Sequence, residues 1–517
     1  MTDNLQADVA ATLLPGFEGT SLPEWLDRRL RQGLGGVCVF GPNIESLEQL
    51  KDLTSDIRRA NPHAIIAIDE EGGDVTRLFY ASGSPFPGNA ILGRIDDVEL
   101  TESIGARVGR AVRAAGCNLD FAPDTDINSN SDNPVIGVRS FGAEPYLVAR
   151  HSAAWVRGIE STGVAGSAKH FPGHGDTAVD SHLALPVVDR SLDELRAREL
   201  VPFRATIDAG TRTIMTSHIL VPQLDPDRPA TLSPTILQGL LREELGFDGV
   251  IVSDALDMEG ASGALGIPAA AAAAVAAGCD LLCIGTDNTD DQLADIEQRM
   301  LDAVATGELP ADRLADAAAR VRALGAELAA RAMGDNGTPP ESSGAAGLHA
   351  QRTDSESTDS MDKRIIARSR SVFARRVDVA EWLHRADDDF EVVRLDTVAN
   401  IAVGTAPWGP FAAAHAEPDH PAAVSFAKRL VHPVSAAEWE PPPGTAPVVV
   451  IGKDNHRHEF SRRAIERLRG ARPVLVVDMG WPSDDGAYAD IATFGGSRLI
   501  GMALLQELEE FRNEVGA

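Results

Sequence analysis

The stretch GVIVSDALDM, Gly249–Met258, opens with a run of apolar, mostly β-branched residues and ends at a carboxylate. A strand buried on both faces, as in a parallel sheet covered by helices, reads as such an unbroken run rather than as an alternation. The same syntax recurs along the chain. Upstream lie ATLLPGF (Ala11–Phe17), GVCVFG (Gly36–Gly41), AIIAIDEEGG (Ala64–Gly73), NLDFAPDTDI (Asn118–Ile127), GSAKHFPGHG (Gly166–Gly175) and TIMTSHI (Thr213–Ile219); downstream lies DLLCIG (Asp280–Gly285). Eight runs, each followed by room for a helix, are the count of a (β/α)8 barrel. The intervening stretches are amphipathic, as in SLEQLKDLTSDIRRA (Ser46–Ala60) and SPTILQGLLREELG (Ser233–Gly246). The latter opens at a Ser-Pro cap and stops at a glycine.

Several runs end in polar or charged groups: Asp69; Asp124 and Asp126; Lys169 and His170; Ser217 and His218; Asp254. In a parallel barrel these ends all point to one face, where active sites are built. Polar turns after strands explain one or two such endings. Five of eight point to a site.

With 517 residues the chain exceeds the size at which single cores stop growing, about 250–300 residues. The break falls at residues 334–362, GDNGTPPESSGAAGLHAQRTDSESTDSMD, which holds almost nothing to bury and reads as a flexible linker. It separates a catalytic barrel domain, residues 1–333, from a smaller domain, residues 363–517. In the latter, EVVRLD (Glu391–Asp396), PVVVIGKD (Pro447–Asp454), PVLVVDMG (Pro473–Gly480) and ATFGG (Ala492–Gly496) predict a small parallel α/β sandwich. No Gly-rich phosphate loop is present, so no nucleotide and no other cofactor is expected.

A net charge of −30 argues against a nucleic-acid partner, because phosphate backbones are repelled. Four cysteines, Cys38, Cys117, Cys279 and Cys283, make no disulfide framework in so long a chain, and Cys279 and Cys283, in an apolar run, read as small buried hydrophobes. The N-terminus lacks a basic and then apolar leader, and no apolar stretch is long enough to span a bilayer, so a cytoplasmic, membrane-free protein is the expectation.

The densest chemistry lies in KHFPGHGDTAVDSH, Lys169–His182, with three histidines, two aspartates and a lysine in fourteen positions. Pro172, Gly173 and Gly175 exclude a regular helix, so these side chains are expected on a long, mobile loop. Two chemistries suit it. His170, His174, Asp176, Asp180 and His182 could ligate a metal, as a metal-dependent hydrolase requires. Alternatively Asp180 and His182 form an acid–base pair, the carboxylate fixing the imidazole tautomer and raising its pKa toward neutrality. No His-Glu-x-x-His helix is present and a Gly-rich loop presents ligands loosely, so the acid–base reading is preferred and no metal is expected. Asp254, at the end of a buried strand, is costly unless hydrogen-bonded, paired or used, and could serve as a nucleophile toward an acetal carbon.

Taken together, KHFPGHGDTAVDSH, VIVSDALDM, IDEEGG and GVRSFG (Gly137–Gly142) resemble glycoside hydrolase family 3, most closely its β-N-acetylglucosaminidase (β-hexosaminidase) branch. The resemblance covers the first 330 or so residues, motif after motif in order; the smaller domain is similar only loosely to the family's α/β sandwich. It implies a (β/α)8 barrel and a retaining double displacement. Position by position, Asp254 matches the nucleophile, His182 the general acid/base and Asp180 its orienting partner. Asp69, Arg139, Lys169 and His170 match positions that hold the hydroxyls of the terminal sugar. Glu70 stands where the family often has Gln, which adds a negative charge beside the sugar pocket.

The implied substrate is a small GlcNAc-containing glycan from cell wall or chitin. Because a deprotonated histidine carries no negative charge, inorganic phosphate could approach the glycosyl-enzyme, and a phosphorylase releasing the sugar 1-phosphate is the second reading. A non-catalytic sugar-binding protein on a disabled barrel is disfavoured, since both proposed catalytic groups are intact.

Overall fold

The computed structural model describes residues 2–177, 185–263, 265–334, 360–386, 390–397, 402–435, 439 and 444–515. They form two compact units. The first comprises Met1–Glu71, Asp97–Ile136 and Ser140–Gly337; the second comprises Gly72–Asp96, Gly137–Arg139 and Thr338–Ala517.

All eight apolar runs of the first unit become strands: β1 (Leu13–Pro15), β2 (Gly36–Val39), β3 (Ile65–Ile68), β4 (Leu119–Asp120), β5 (Ala165–Phe171), β6 (Thr213–Thr216), β7 (Val250–Ser253) and β8 (Leu281–Gly285). They pair in parallel in the order β2-β3-β4-β5-β6-β7-β8-β1. Just before β2, the Gly35 N–H donates to the Ala10 carbonyl in the helix Thr2–Ala11 that precedes β1, at 3.0 Å. Every strand residue is buried, as the unbroken runs require. Alternate residues fill the barrel interior, among them Ile65 and Ala67 of β3, Val250 and Val252 of β7, and Leu281 and Cys283 of β8. Space there is tight: a Cβ on Gly36 would fall 2.0 Å from the Ile65 carbonyl oxygen, so this close approach of β2 to β3 needs glycine.

Helices cover the barrel. Ser46 starts the helix Leu47–Ala60 by accepting the Gln49 N–H, and five residues of that helix are buried at helical spacing. The stretch opening at Ser233 forms the helix Thr235–Glu244. Val321, Leu324 and Leu328 of the last helix, Ala311–Gly334, join the barrel's core cluster. All four cysteines are free and buried, and burial pushes the Cys117 thiol up to about 12. These thiols pack as hydrophobes.

The second unit is built on a six-stranded sheet. Its strands are β9 (Ala374–Arg375), β10 (Glu391–Leu395), β11 (Val431–Val434), β12 (Val448–Gly452), β13 (Val474–Asp478) and β14 (Ile491–Ala492), in the order β11-β10-β12-β13-β14-β9. Only the edge strand β9 is antiparallel among these described pairings. The four expected strands are present. The two that sequence reasoning passed over are edges: β9 is two residues long, and β11 carries Pro433, which a sheet tolerates at its rim.

Residues 334–362, expected as linker, lie mostly outside the described residues; Gly334 ends a helix and 360–371 are helical. Two segments that sequence reasoning placed within residues 1–333 group with the second unit. Asp74 ion-pairs Lys453 at 3.1 Å and accepts the Gly496 N–H at 2.7 Å, and the Arg77 guanidinium donates to the Ala402 carbonyl at 2.7 Å. No described helix is long and apolar enough to cross a membrane.

Candidate active site

The C-terminal ends of β3, β4 and β5 carry one connected polar network. β3 runs on into Asp69, Glu70 and Glu71. In extended backbone, residues two apart share a face. Asp69 and Glu71 accordingly both reach the Lys169 ammonium of β5, at 2.9 and 2.7 Å. Lys169 and Glu71 are each 3% exposed, whereas Asp69 is 18% exposed and is the carboxylate of the three-residue turn most open to a ligand.

His170 follows in β5, where the Lys169–His170 and Phe171–Pro172 peptides are both cis. Its Nδ1 lies 2.7 Å from Asp126 Oδ2 and 3.8 Å from Asp124 Oδ2. Asp126 also accepts the His174 N–H at 2.6 Å, and Asp124 accepts the Asp126 N–H at 3.0 Å. Burial alone would push the Asp126 carboxyl up. The His170 charge and hydrogen bond, then His174, outweigh burial and hold it below the usual carboxylate range. His174 is the opposite case: burial outweighs the attraction of Asp126 and lowers it to about 4, so it is neutral near pH 7 and shares a 2.9 Å hydrogen bond with the Thr177 hydroxyl.

Asp254 stands directly after β7 and is half-buried. Its Oδ1 accepts the Ala255 N–H at 2.8 Å, and its own N–H points to the Thr216 hydroxyl of β6 at 3.4 Å. His218 braces this turn, with Nε2 3.0 Å from the Ala255 carbonyl and Nδ1 2.8 Å from the Thr231 hydroxyl. As neighbours in one parallel barrel order, β5, β6 and β7 all end on the same side, which puts Asp254 on the side that carries Lys169 and His170. The result is an accessible carboxylate held in one rotamer by a neighbouring amide, beside a set of donors and acceptors for hydroxyl groups.

Of the residues singled out by sequence, Asp69, Lys169, His170 and Asp254 all sit at strand ends of the first unit. Asp180 and His182 lie outside the described residues. Arg139 belongs to the second unit, where it is buried and its carbonyl accepts the Asn89 side-chain amide at 2.6 Å. Of the histidines and acids weighed as metal ligands that are described, Asp176 pairs with Arg190 at 2.9 Å and Arg198 at 2.7 Å. Asp124, Asp126 and His170 do bring one ligand atom each within 4.8 Å, but Nδ1 of His170 is already engaged by Asp126. Glu71 was missed as a partner of Lys169, although its spacing from Asp69 carried the signal. Asp126 was visible as a strand-end acid but not as the partner of His170.

The model of the glycosyl hydrolase family 3 N-terminal domain matches residues 22–324. A β-hexosaminidase of Stenotrophomonas maltophilia strain K279a is 38% identical over 304 residues, 57% of this chain and 89% of that protein. β-Hexosaminidase A of Pseudoalteromonas piscicida is 37% identical over 337 residues; the chain spans 56% of its length. Among solved structures, a family 3 β-N-acetylglucosaminidase from Paenibacillus sp. FPU-7 superposes with a TM-score of 0.79 at 27% identity, over 98% of this chain and 97% of that one. With a family model matching more than half of the sequence and a relative matched over most of its own length, the chain belongs to glycosyl hydrolase family 3.

Proposed function

We propose that the protein is an exo-acting, retaining β-N-acetylglucosaminidase that removes terminal β-GlcNAc from small cell-wall or chitin-derived glycans. The observation that carries this reading is the half-buried Asp254 carboxylate directly after β7, on the same side of the parallel barrel as the Lys169 and His170 end of β5. Its half-exposed side chain accepts the Ala255 N–H on Oδ1, and the carboxylate is the group proposed to attack the anomeric carbon. Attack forms a C1–Oδ2 ester and expels the aglycone oxygen; His182, oriented by Asp180, protonates that oxygen and then deprotonates the water that cleaves the ester. Asp69, with Lys169 clamped between it and Glu71, receives the sugar hydroxyls, as does His170. Asp126 fixes the orientation of the His170 ring through Nδ1.

The test is release of p-nitrophenol from the β-GlcNAc aryl glycoside. Asp254→Asn should lose about a thousandfold or more in kcat, and a 2-fluoro sugar should add one glycosyl mass to the wild-type peptide containing Asp254. Unchanged turnover by D254N ends the assignment. Running the assay with about 10 mM phosphate, an excess over ordinary KM values, decides the acceptor: GlcNAc-1-phosphate with a large rate increase makes the enzyme a phosphorylase. Loss of activity in EDTA points to the metal-dependent alternative.

A further inference from the structure

Asp120 closes β4, opposite Ile68 in the ladder with β3. Its Oδ1 accepts the Glu70 N–H at 2.9 Å. Its Oδ2 is buried with no hydrogen-bond partner among the described residues, and Asp120 and Glu70 are both 0% exposed. The ionisable groups that act on Asp120 are Glu70 and Asp69 from the end of β3, Lys169 from β5, and the Cys117 thiol just before β4. Lys169 is already shared by Asp69 and Glu71. An ionised Asp120 would therefore place charge on an oxygen that no donor meets, beside two further acids. A buried carboxylate in that position takes up a proton. As a neutral acid the group still offers the oxygen that the Glu70 amide needs.

We propose that Asp120 serves as an un-ionised carboxylic acid that positions the Asp69–Glu71 turn through the Glu70 amide. Asp120 is a positioning residue: through this amide it sets where Asp69 and Glu71 meet Lys169. Burial first, and then the Glu70 charge, raise its carboxyl well above the ordinary value against the opposing Glu70 N–H and Lys169. The role rests on the glycosidase reading of the same site.

The discriminating pair is Asp120→Ala and Asp120→Asn, assayed on the aryl β-GlcNAc glycoside from pH 5 to 9. D120A removes the acceptor for the Glu70 amide and should raise KM at least tenfold while kcat changes less than threefold. D120N mimics the protonated acid, its carbonyl accepting from Glu70 and its amide group replacing the hydroxyl. It should recover kcat/KM to within about threefold of wild type at pH 6. Toward pH 9 the ratio of D120N to wild-type kcat/KM should rise, because only the wild type can ionise there. A tenfold or greater loss in D120N at pH 6 means a charged Asp120 is required and overturns the proposal, as does an unchanged KM in D120A. If D120A fails to fold, D120N against wild type decides alone. Wild-type protein without turnover on the glycoside condemns the functional reading instead, since that result precedes any comparison of variants.

Discussion

Lys169→Met tests the central ion cluster directly. The ammonium is almost fully enclosed and lies within 2.9 Å of Asp69 and 2.7 Å of Glu71, itself 3% exposed. Removing one partner of a buried ion pair costs about 3–5 kcal/mol, because the remaining charge keeps its desolvation penalty and loses its compensation. For a unit of this size, each kcal/mol moves the melting temperature by about 2 °C, so K169M should melt about 6–10 °C below wild type at pH 8. The deficit has a predictable pH dependence. Without the ammonium, two neighbouring carboxylates are left with no cation between them, and adding a proton to either relieves their repulsion in the folded form. The variant's folded form then binds more protons than its unfolded form, and its relative stability improves as pH falls. The gap measured by calorimetry should be narrower at pH 5 than at pH 8. Adding Glu71→Gln to K169M should recover part of the loss, since one of the two stranded charges is gone. A melting temperature within 2 °C of wild type at pH 8, or an equal gap at both pH values, would refute the cluster's energetic role.

Other tests separate neighbouring parts of the site. His174 is neutral because its pKa is lowered from 6.5 to about 4, so the unfolded chain protonates first as pH falls. Its contribution, about 3 kcal/mol, is present above about pH 6.5 and is lost between there and pH 4. Urea unfolding of His174→Gln should therefore show a shallower loss over that window, and parallel curves for variant and wild type would exclude the effect. Asp126→Asn keeps an acceptor for the His174 N–H but offers His170 Nδ1 an amide donor. It should replace an acceptor by a donor at His170 Nδ1, loosen the ring's orientation and lower kcat/KM about tenfold or more with little change in melting temperature. Gly175→Ala should cost about 1–3 kcal/mol, because its Cβ would fall 1.7 Å from the Ile127 carbonyl oxygen. Gly239→Ala, in a helix with nothing within 4 Å, should instead stabilise by about 0.5–1 kcal/mol.

The barrel was legible because its strands are buried on both faces. Composition alone marks them, and parallel closure then sends every run's polar ending to one side. Asp69, Lys169, His170 and Asp254 were found by that rule without knowledge of any distance. The rule ranks endings and does not pair them. Asp126 lies 44 residues before His170, and Glu70 lies 50 before Asp120; both pairings come from neighbouring strands in register, which a one-dimensional pattern does not display. The segment Gly72–Asp96 was harder still. It follows the Asp69–Glu71 turn immediately, yet the partners of Asp74 and Arg77 are Lys453 and Ala402, more than 300 residues away. Nothing in its local pattern marks such partners.

The same contrast explains why the acids of this site differ in kind although they share a residue type. Asp126 collects three donors, from the His170 ring, the His170 N–H at 3.3 Å and the His174 N–H, and so stays charged. Asp120 collects one and lies beside Glu70, and so is pushed toward its neutral form. Asp254 is only half-buried and accepts the Ala255 N–H on Oδ1. Donor count and exposure, more than position along the chain, divide the carboxyls into a holder of a ring, a holder of a turn and the group proposed as nucleophile. An enzyme that must grip a neutral sugar and attack it with an anion needs all three.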